Sequence, residues 1–306
     1  MRVAAIDIGT NTLRLLVADV ERDAGPGLVP IERRTVVARL GRGVDSTKLI
    51  NPDVLGRGVA VLAGFADIIR RTGADVVRAV ATSAMRDAAN SEVFLERSSG
   101  ALGVTPDIID SDEEAALSFR GATDGLSPDG PVLVIDPGGG STEFVLGTTE
   151  PDYTVSIDIG SVRITERHLQ ERPVPPRVLA IARSAVDELM ARVSLPMTPD
   201  VVVGVGGTFS TMAALHLNLA RFDSEKVHRS TLTDDAIEGL VEFLALKSVE
   251  ETAQLPSVET GRADVILGGS IVVERAIRVA GASEVVVSET GILHGLALTL
   301  AESHAS

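Results

Sequence analysis

The chain has 306 residues, of which 44% are hydrophobic and none is cysteine, so it can form two folded domains and lacks disulfides, thiol nucleophiles and iron–sulfur ligands. Its net charge of −15 and its 3% aromatic content argue against nucleic-acid binding. The first apolar run is too short for a signal peptide, and no apolar segment is long enough to span a bilayer, so we expect a cytoplasmic protein without a membrane partner.

A short apolar run near the N-terminus leads into an acidic turn that contains glycine. Residues 3–6 predict a buried strand, and Asp7-Ile8-Gly9-Thr10-Asn11-Thr12 follows it. Residues 13–20 are rich in apolar and β-branched residues with a polar break, which predicts a second strand instead of the helix that follows a Rossmann or Walker phosphate loop. In such a unit the aspartate can hold Mg²⁺ and the amides can bind phosphate oxygens.

Alternating strands and helices are predicted for the rest of the first half. Glycine, proline and capping residues set the expected bounds. We expect a strand over 35–40, a helix that begins at Asn51-Pro52 and ends near Thr72-Gly73, a strand over 75–81, a helix over 91–96 capped by Ser91, and a strand over 106–110.

Three carboxylates lie at the start of the next predicted helix, in Ser111-Asp112-Glu113-Glu114. In one interpretation these residues form a capping box, in which the Glu114 side chain accepts a hydrogen bond from the Ser111 amide. In the other, Glu114 is catalytic and orients a water molecule that phosphate or metal polarises. The spacing alone leaves both interpretations open.

The second half repeats the opening pattern. Residues 132–135 predict a strand, Asp136-Pro137-Gly138-Gly139-Gly140-Ser141-Thr142-Glu143 contains a glycine turn, and residues 142–146 predict another strand. An ordinary hairpin explains one such turn, but two favour a duplicated phosphate-binding element. Further elements are expected in the order strand 153–159, helix 176–193 and strand 201–203, after a join at 124–130 that is rich in Gly, Ser, Pro and Asp.

A third glycine cluster, Gly204-Val205-Gly206-Gly207-Thr208, precedes a helix-compatible segment over 209–219. Glycine amides at a helix N-terminus form an anion site, but the same glycines also allow close packing of a strand on a helix. The repetition of strands and helices at this scale predicts two similar α/β domains that face a cleft.

Together these motifs resemble the exopolyphosphatase and guanosine pentaphosphate phosphohydrolase (Ppx/GppA) family. The match follows the order of the family's motifs over essentially the whole chain. It rests on residues 7–12, 81–90, 113–115, 136–143, 204–208, 261–269 and 287–291.

The resemblance implies a fold and a reaction. The fold is α/β, with two ribonuclease H-like domains of the actin-like ATPase and sugar kinase superfold flanking an active-site cleft. We place the first domain at 1–124, completed by a C-terminal helix over 292–306, and the second at 125–291. The implied reaction is Mg²⁺-dependent hydrolysis of a terminal phosphoanhydride by water, and a homodimer is compatible with the family.

The resemblance also implies roles for the residues at matching motif positions. Glu114 is the candidate base that orients the attacking water, and Glu143 is its partner. The candidate metal ligands are Asp7, Asp136 and Glu143. The candidate phosphate contacts are Asn11, Arg86, Gly138, Gly139, Gly140, Ser141, Gly206, Gly207 and Thr208.

Two positions depart from the family's pattern. Pro137 stands where the family commonly has an aliphatic residue, and because proline removes an amide and fixes φ, it can change how Asp136 is presented. The segment that contains His294 lacks the basic and acidic pair often found near the family's last helix, so His294 is assigned no catalytic role.

Inorganic polyphosphate is the favoured substrate, because one tyrosine and no tryptophan leave no evident aromatic platform for a guanine. Guanosine pentaphosphate or another nucleoside polyphosphate is the close alternative. A non-catalytic phosphate or nucleotide sensor and a sugar or carboxylate kinase are the alternatives of other classes. A polyphosphate track is predicted from Arg163, Arg167, Lys226, His228, Arg229 and Arg262.

Overall fold

The chain folds into two α/β units, unit 1 of Met1–Gly121 with Ile292–Ser306 and unit 2 of Ala122–Gly291. The computed structural model describes residues 1–21, 27–126 and 129–304, so part of the predicted join at 124–130 lies outside the described residues. As independently folding domains, the ranges 1–124 and 125–291 stay predictions.

The secondary-structure elements alternate along the chain. The strands are β1 (Arg2–Ile8), β2 (Thr12–Glu21), β3 (Gly27–Val37), β4 (Val76–Ala81), β5 (Asp107–Ile108), β6 (Val132–Pro137), β7 (Thr142–Gly147), β8 (Pro151–Ile157), β9 (Val201–Val205), β10 (Thr231–Thr233) and β11 (Glu284–Ser288). The helices are α1 (Val44–Thr47), α2 (Pro52–Thr72), α3 (Ser83–Asp87), α4 (Ser91–Leu102), α5 (Ser111–Thr123), α6 (Ser161–His168), α7 (Pro176–Met190), α8 (Gly207–His216), α9 (Ser224–Val227), α10 (Asp234–Ala245), α11 (Val249–Ala253), α12 (Ile266–Ala280) and α13 (Ile292–Ser303), with a 3₁₀ turn at Thr260–Arg262.

The two sheets are built on one plan. The strand order is β3-β2-β1-β4-β5 in unit 1 and β8-β7-β6-β9-β11-β10 in unit 2. In each sheet an antiparallel hairpin carries a third antiparallel strand on one side and two parallel strands on the other. Unit 2 adds the antiparallel strand β10 beyond β11. The predicted α/β class and the predicted duplication are therefore confirmed, whereas the cleft between domains stays a prediction.

The parallel strands bring the sequence motifs to one edge of each sheet. In unit 1 the carboxyl ends of β1, β4 and β5 are in register, with Ile8 opposite Ala81 and Ala81 opposite Ile108. In unit 2 the same holds for β6, β9 and β11. Open α/β sheets bind their ligands at this edge, and both glycine turns lie there.

Strand β1 is buried on both faces, as its unbroken apolar run predicts. Ala4, Ile6 and Ile8 pack in the cluster that includes the apolar face of α2, whereas Val3 and Ala5 pack in the cluster that includes α13. A Cβ on Gly295 of α13 would lie 1.9 Å from a backbone carbonyl of α5, so the two helices are in close contact. Helix α13 is thus part of the core of unit 1.

Helix α2 confirms the predicted bounds and caps. The Asn51 side chain accepts a hydrogen bond from the Asp53 amide at 2.9 Å, and Gly73 ends the helix with φ of 68°. The predicted Ser91 cap of α4 is wrong, because Ser91 is the first helical residue. The Asn90 side chain before it bonds both backbone groups of Ile50 instead of capping the helix.

Within the described residues, no helix combines the length and hydrophobicity that a membrane crossing requires. The cytoplasmic location stays a prediction.

Candidate active site

The turn between β1 and β2 is held by the loop after β3. The Gly9 amide donates to the Thr12 carbonyl at 3.0 Å and closes the turn, while the carbonyls of Thr10 and Asn11 accept from amides of residues 38–41 at 2.8 to 3.0 Å. In a planar trans peptide the amide of the following residue points away from the carbonyl. The Asn11 amide therefore faces away from the loop that holds the turn.

The turn between β6 and β7 is held in the same way by the start of α6. The Gly138 amide donates to the Ser141 carbonyl at 2.9 Å, and the carbonyls of 138–140 accept from residues 161–163 at 2.6 to 3.4 Å. By the same peptide geometry, the three amides from Gly139 to Ser141 face away from α6, and none has an acceptor among the described residues. The amides available to phosphate are therefore those of Gly139, Gly140 and Ser141, whereas the amide of Gly138, also a predicted contact, is used within the turn.

Two carboxylates stand directly opposite each other on this second hairpin. Asp136 and Glu143 are paired residues of β6 and β7, which places their side chains on the same face of the sheet. A Cβ on Gly206 would lie 3.0 Å from Asp136 Oδ1, so this carboxylate also adjoins the turn after β9. Glu143 is only 2% exposed, and its Oε1 accepts from Ser156 Oγ at 2.8 Å.

This pair fits a magnesium ion. Like charges directly opposite each other in a sheet are unfavourable unless a cation is shared between them. No group of three or more histidine or acidic side chains that could hold a metal occurs in the described part of the chain. Mg²⁺ commonly takes one or two protein carboxylates and fills its remaining positions with water and phosphate oxygens, so Asp136 and Glu143 suffice.

The corresponding pair in the first hairpin has opposite charges. Asp7 faces Arg14, whose Nε and Nη2 lie 2.8 and 2.5 Å from Asp7 Oδ2, and the Asp7 side chain is 2% exposed. Because Arg14 neutralises this buried carboxylate, the geometry does not support a metal ion at Asp7. The metal-binding role of Asp7 stays a prediction from the resemblance alone.

Pro137 does not shift the second hairpin. Strand β6 continues through Pro137, which pairs with Thr142 while Asp136 keeps its place opposite Glu143. The change of presentation that Pro137 suggested for Asp136 is therefore absent from the strand register.

The N-terminus of α8 combines backbone amides with a guanidinium. Gly206 caps the helix with φ of 89°, and no side chain caps the first amides. A Cβ on Gly207 would lie 2.1 Å from Arg262 Nη1, so the Arg262 guanidinium covers Gly207. Arg262 Nε donates to Glu259 Oε2 at 2.9 Å, which holds the guanidinium in place. A helix N-terminus with an adjacent arginine is an anion-binding arrangement.

Thr208 contributes its backbone amide to the anion site, and its hydroxyl lies elsewhere. A Cβ on Gly269 of α12 would lie 2.6 Å from Thr208 Oγ1, so the buried hydroxyl packs against α12. The part of Thr208 that belongs to the helix N-terminus is its backbone amide. The glycine cluster thus serves both predicted purposes, anion binding and close packing.

In unit 1, Glu114 is held by Arg86. Arg86 Nη1 donates to Glu114 Oε2 at 2.8 Å and to the Ile109 carbonyl at 2.9 Å, and both side chains are largely buried. Arg86 Nε and Nη2 have no hydrogen-bond partner among the described residues, so they remain able to contact a phosphate. The structure therefore brings together the candidate base and a candidate phosphate ligand.

The capping-box interpretation of Ser111 to Glu114 is wrong. Helix α5 begins at Ser111, and the residue that caps it is Asp110, whose Oδ1 accepts from the Glu113 amide at 2.8 Å. The Glu114 side chain is engaged by Arg86 instead of the helix start. This leaves Glu114 as an oriented carboxylate at the functional edge of the sheet.

Asn11 carries an unused hydrogen-bond donor. The residue is 8% exposed, and its Nδ2 has no partner within the described residues. Buried donors are nearly always paired, so an unpaired one indicates a missing acceptor such as a phosphate oxygen.

Three residues of the predicted polyphosphate track are engaged elsewhere. Lys226 is exposed and ion-paired with Asp223 at 3.1 Å, and His228 Nδ1 accepts a backbone amide at 3.2 Å. Arg229 donates to the Asp124 carbonyl at 2.9 Å. Burial lowers the pKa of Arg229, the negative charge of Asp124 opposes this change, and the guanidinium stays protonated at physiological pH.

Sequence reasoning missed the residues that support the site. The spacing between Asp7 and Arg14 equals that between Asp136 and Glu143, and in hairpins of equal length this spacing signals two facing pairs. The glycine at position 160 was a second sequence feature that could have indicated close packing against the turn. A Cβ there would lie 2.5 Å from the Gly139 carbonyl. No local pattern identifies Ser156 as the partner of Glu143.

Known proteins resemble the chain over most or all of its length. It is 39% identical to exopolyphosphatase 2 of Mycobacterium tuberculosis over an alignment 314 positions long, which covers 98% of both proteins. It is 29% identical over 252 residues to the guanosine-5'-triphosphate,3'-diphosphate pyrophosphatase of Vibrio atlanticus, covering 78% of this chain and 50% of that protein. The crystal structure of an exopolyphosphatase-like protein matches with a TM-score of 0.94 at 35% identity, covering 100% of this chain and 99% of that one, which confirms the predicted fold class.

A family model gives the same result. The model of the Ppx/GppA phosphatase family matches residues 16–304, which include every candidate site residue after the first turn. The predicted family and the predicted enzyme class, a phosphatase, are confirmed: the chain belongs to the Ppx/GppA phosphatase family.

Proposed function

We propose that the chain is a Mg²⁺-dependent exopolyphosphatase that hydrolyses the terminal phosphoanhydride of inorganic polyphosphate and releases orthophosphate. The observation that carries this proposal is the facing pair of Asp136 and Glu143 beside a turn with three outward-facing amides. Phosphoryl transfer needs charge neutralisation and an aligned nucleophile more than it needs covalent chemistry. Similarity to a protein named exopolyphosphatase 2 over 98% of both chains supports the choice of substrate.

Asp136 and Glu143 are the residues that would hold Mg²⁺. When bound, the ion neutralises negative charge on the phosphoryl group that is transferred. The chain's own contribution is a set of fixed donors: the amides of 139–141 at one turn, and the α8 N-terminus with Arg262 at the other. Such donors stabilise developing charge at no reorganisation cost, because the fold holds them in place.

Glu114 is assigned the role of orienting the attacking water. Its ion pair with Arg86 fixes the side chain, and an ion-paired carboxylate acts as a hydrogen-bond acceptor that can align a water molecule. Asn11 Nδ2 and the remaining Arg86 donors are assigned to phosphate oxygens. These roles rest on the geometry of unit 1 and on the family resemblance.

Phosphate release from long polyphosphate, tripolyphosphate, guanosine pentaphosphate and ATP, with and without Mg²⁺, tests the proposal. We expect the wild type to act fastest on polyphosphate and only with Mg²⁺, and Glu114→Gln to lose about 10³-fold in kcat, a typical effect of removing a general base or water-orienting group. The matched control is Glu113→Gln, because the neighbouring Glu113 pairs with Arg78 at the surface. Near-normal turnover by Glu114→Gln would show that the assignment of Glu114 is wrong.

Guanosine pentaphosphate is the second candidate substrate, because the similar protein of Vibrio atlanticus is named for guanosine-5'-triphosphate,3'-diphosphate. It offers the same terminal phosphoanhydride. A higher kcat/KM for guanosine pentaphosphate than for either polyphosphate would replace the lead proposal with this one. Phosphate release from none of the four substrates would contradict both.

A further inference from the structure

Arg163 is a buried arginine whose side chain bonds the backbone of the second glycine turn. The residue is 7% exposed, and its Nε donates to the Gly140 carbonyl at 2.6 Å. This position differs from that of a surface residue on a polyphosphate track. The contact makes Arg163 part of the support behind the turn.

The Gly140 carbonyl needs a donor that the helix backbone does not supply. The amides of Ser161 and Val162 hold the carbonyls of Gly138 and Gly139 at 3.0 and 2.9 Å, and the Arg163 side chain holds the third carbonyl. Consecutive glycines have wide conformational freedom, so the direction of each peptide depends on such contacts. The carbonyl of Gly140 shares its peptide plane with the Ser141 amide, which points the opposite way.

The first turn provides an independent comparison. Counting from the aspartate, Asn11 corresponds to Gly140, and its carbonyl is held by the backbone amides of Ala38 and Arg39 at 3.0 and 2.9 Å. The same carbonyl is therefore fixed in both turns, by backbone in unit 1 and by a side chain in unit 2. A shared requirement met by two different donors indicates that fixing this peptide matters.

We propose that Arg163 is a positioning residue, which holds the Gly140 carbonyl so that the Ser141 amide stays directed at a substrate phosphate. The inference rests on the proposed function, because it assigns the three amides to phosphate binding. It also reassigns Arg163 from the polyphosphate track to the support of the turn. Close approach of α6 reinforces the contact, since Gly160 leaves no room for a Cβ beside the Gly139 carbonyl.

Three substitutions of Arg163 test the proposal. Arg163→Met removes the donor, Arg163→Gln keeps an uncharged donor, and Arg163→Lys keeps a charged one. With Mg²⁺ and tripolyphosphate, we expect Met to lower kcat/KM about 10²-fold, the scale of loss that follows small misplacement of reacting groups. Glutamine and lysine should both recover part of that loss. The matched control is Arg177→Met on α7, where the arginine is exposed, and it should act like wild type.

Melting temperatures separate positioning from general stability. Activity that ranks Met below Gln and Lys at similar melting temperatures supports the proposal. Wild-type activity in the Met variant would overturn it, as would losses in all three variants that simply follow their melting temperatures. Recovery by lysine alone would also overturn it, because charge would then matter instead of the bond to Gly140.

A binding measurement keeps this test separate from the proposed function. Tripolyphosphate affinity is measured with Mg²⁺ in a Glu114→Gln background, where turnover is suppressed. A tenfold or greater loss of affinity in the Met variant, smaller in Gln and Lys, supports the role of Arg163 even if the wild type hydrolyses another substrate. Equal affinity in all four proteins overturns it. If the Met variant does not fold, the tripolyphosphate affinities of the Gln and Lys variants are compared with that of the Glu114→Gln protein. A loss in both supports the proposal, and equal affinities overturn it.

Discussion

The hairpins β1–β2 and β6–β7 share a backbone and differ in charge. In each, an aspartate lies near the end of the first strand, and a glycine amide two residues later donates to the carbonyl three residues beyond it. In each, a later segment of the chain binds the turn carbonyls and leaves amides facing away. The residue opposite the aspartate is Arg14 in the first hairpin and Glu143 in the second.

This difference shows how a duplicated element can divide its tasks. The charges of Asp7 and Arg14 neutralise each other, so the first hairpin contributes to stability without a bound cation. Two facing carboxylates repel each other, and a cation bound between them would relieve that repulsion. Real proteins break such pairing rules mainly at functional sites, and the facing carboxylates of Asp136 and Glu143 are such an exception.

The largest expected effect comes from removing one charge of the second pair. We expect Glu143→Gln to lower Mg²⁺-dependent phosphate release by about 10²- to 10³-fold, because the transition state loses part of its electrostatic stabilisation. Without Mg²⁺ the same variant should melt at a higher temperature than wild type, because the repulsion with Asp136 is relieved. Phosphate release over a Mg²⁺ titration and calorimetry without the metal check both signs, with the exposed Glu150→Gln as control. Unchanged Mg²⁺ dependence would contradict the cation site.

The first hairpin should respond in the opposite sense. Arg14→Met leaves the Asp7 carboxylate buried and without this partner, and we expect a loss of about 2–3 kcal/mol in the free energy of unfolding. This is less than for a fully buried pair because Arg14 is 29% exposed. Urea denaturation measures the loss, and Asp7→Asn in the same chain should restore most of it. No recovery in the double variant would show that another Arg14 contact is responsible.

The glycines that pack against the two turns, Gly160 and Gly41, differ in how much a substitution there should cost. A Cβ on Gly160 meets the Gly139 backbone at 2.5 Å, whereas a Cβ on Gly41 meets the side-chain methyl group of Thr10 at 2.1 Å. A side chain can shift at lower cost than the backbone. We expect Gly160→Ala to cost about 1–3 kcal/mol of stability and Gly41→Ala less than about 1 kcal/mol. Denaturant unfolding compares the two variants. Adding Thr10→Ser should erase the smaller loss, and equal losses would contradict the difference in rigidity.

The smallest effect is expected at Asn11. Its Nδ2 makes no hydrogen bond within the described residues, so Asn11→Ala should leave the melting temperature unchanged. Loss of one hydrogen bond to a charged phosphate should raise KM for tripolyphosphate about tenfold. Steady-state kinetics and calorimetry check the two parts. A drop of several degrees with unchanged KM would show that the amide serves folding instead of substrate binding.

Most of the correct structural predictions came from local sequence patterns. Apolar runs, β-branched segments and glycine identified both hairpins, and Asn51, Pro52 and Gly73 marked helix α2 correctly, because strand and cap signals lie within a few residues of one another. The two capping errors have one cause. Ser91 and Ser111 are each the first helical residue, so the cap position falls one residue earlier, on Asn90 and Asp110. The bonds of Asn90 to Ile50 and of Glu114 to Arg86 join residues far apart in sequence, and local patterns do not reveal them.

The sequence by itself thus determined the family, the duplicated α/β plan and the identity of most candidate residues, because motifs are local and their order is preserved. Only the tertiary structure decided which amides of the second turn have no acceptor in the described residues, which residue lies opposite each aspartate, and which arginines support or cover a turn. Those properties depend on carbonyls held by residues 38–41 and 161–163, and on Arg262 over Gly207. Such contacts join segments far apart in the chain, and their geometry exists only once both sheets have formed.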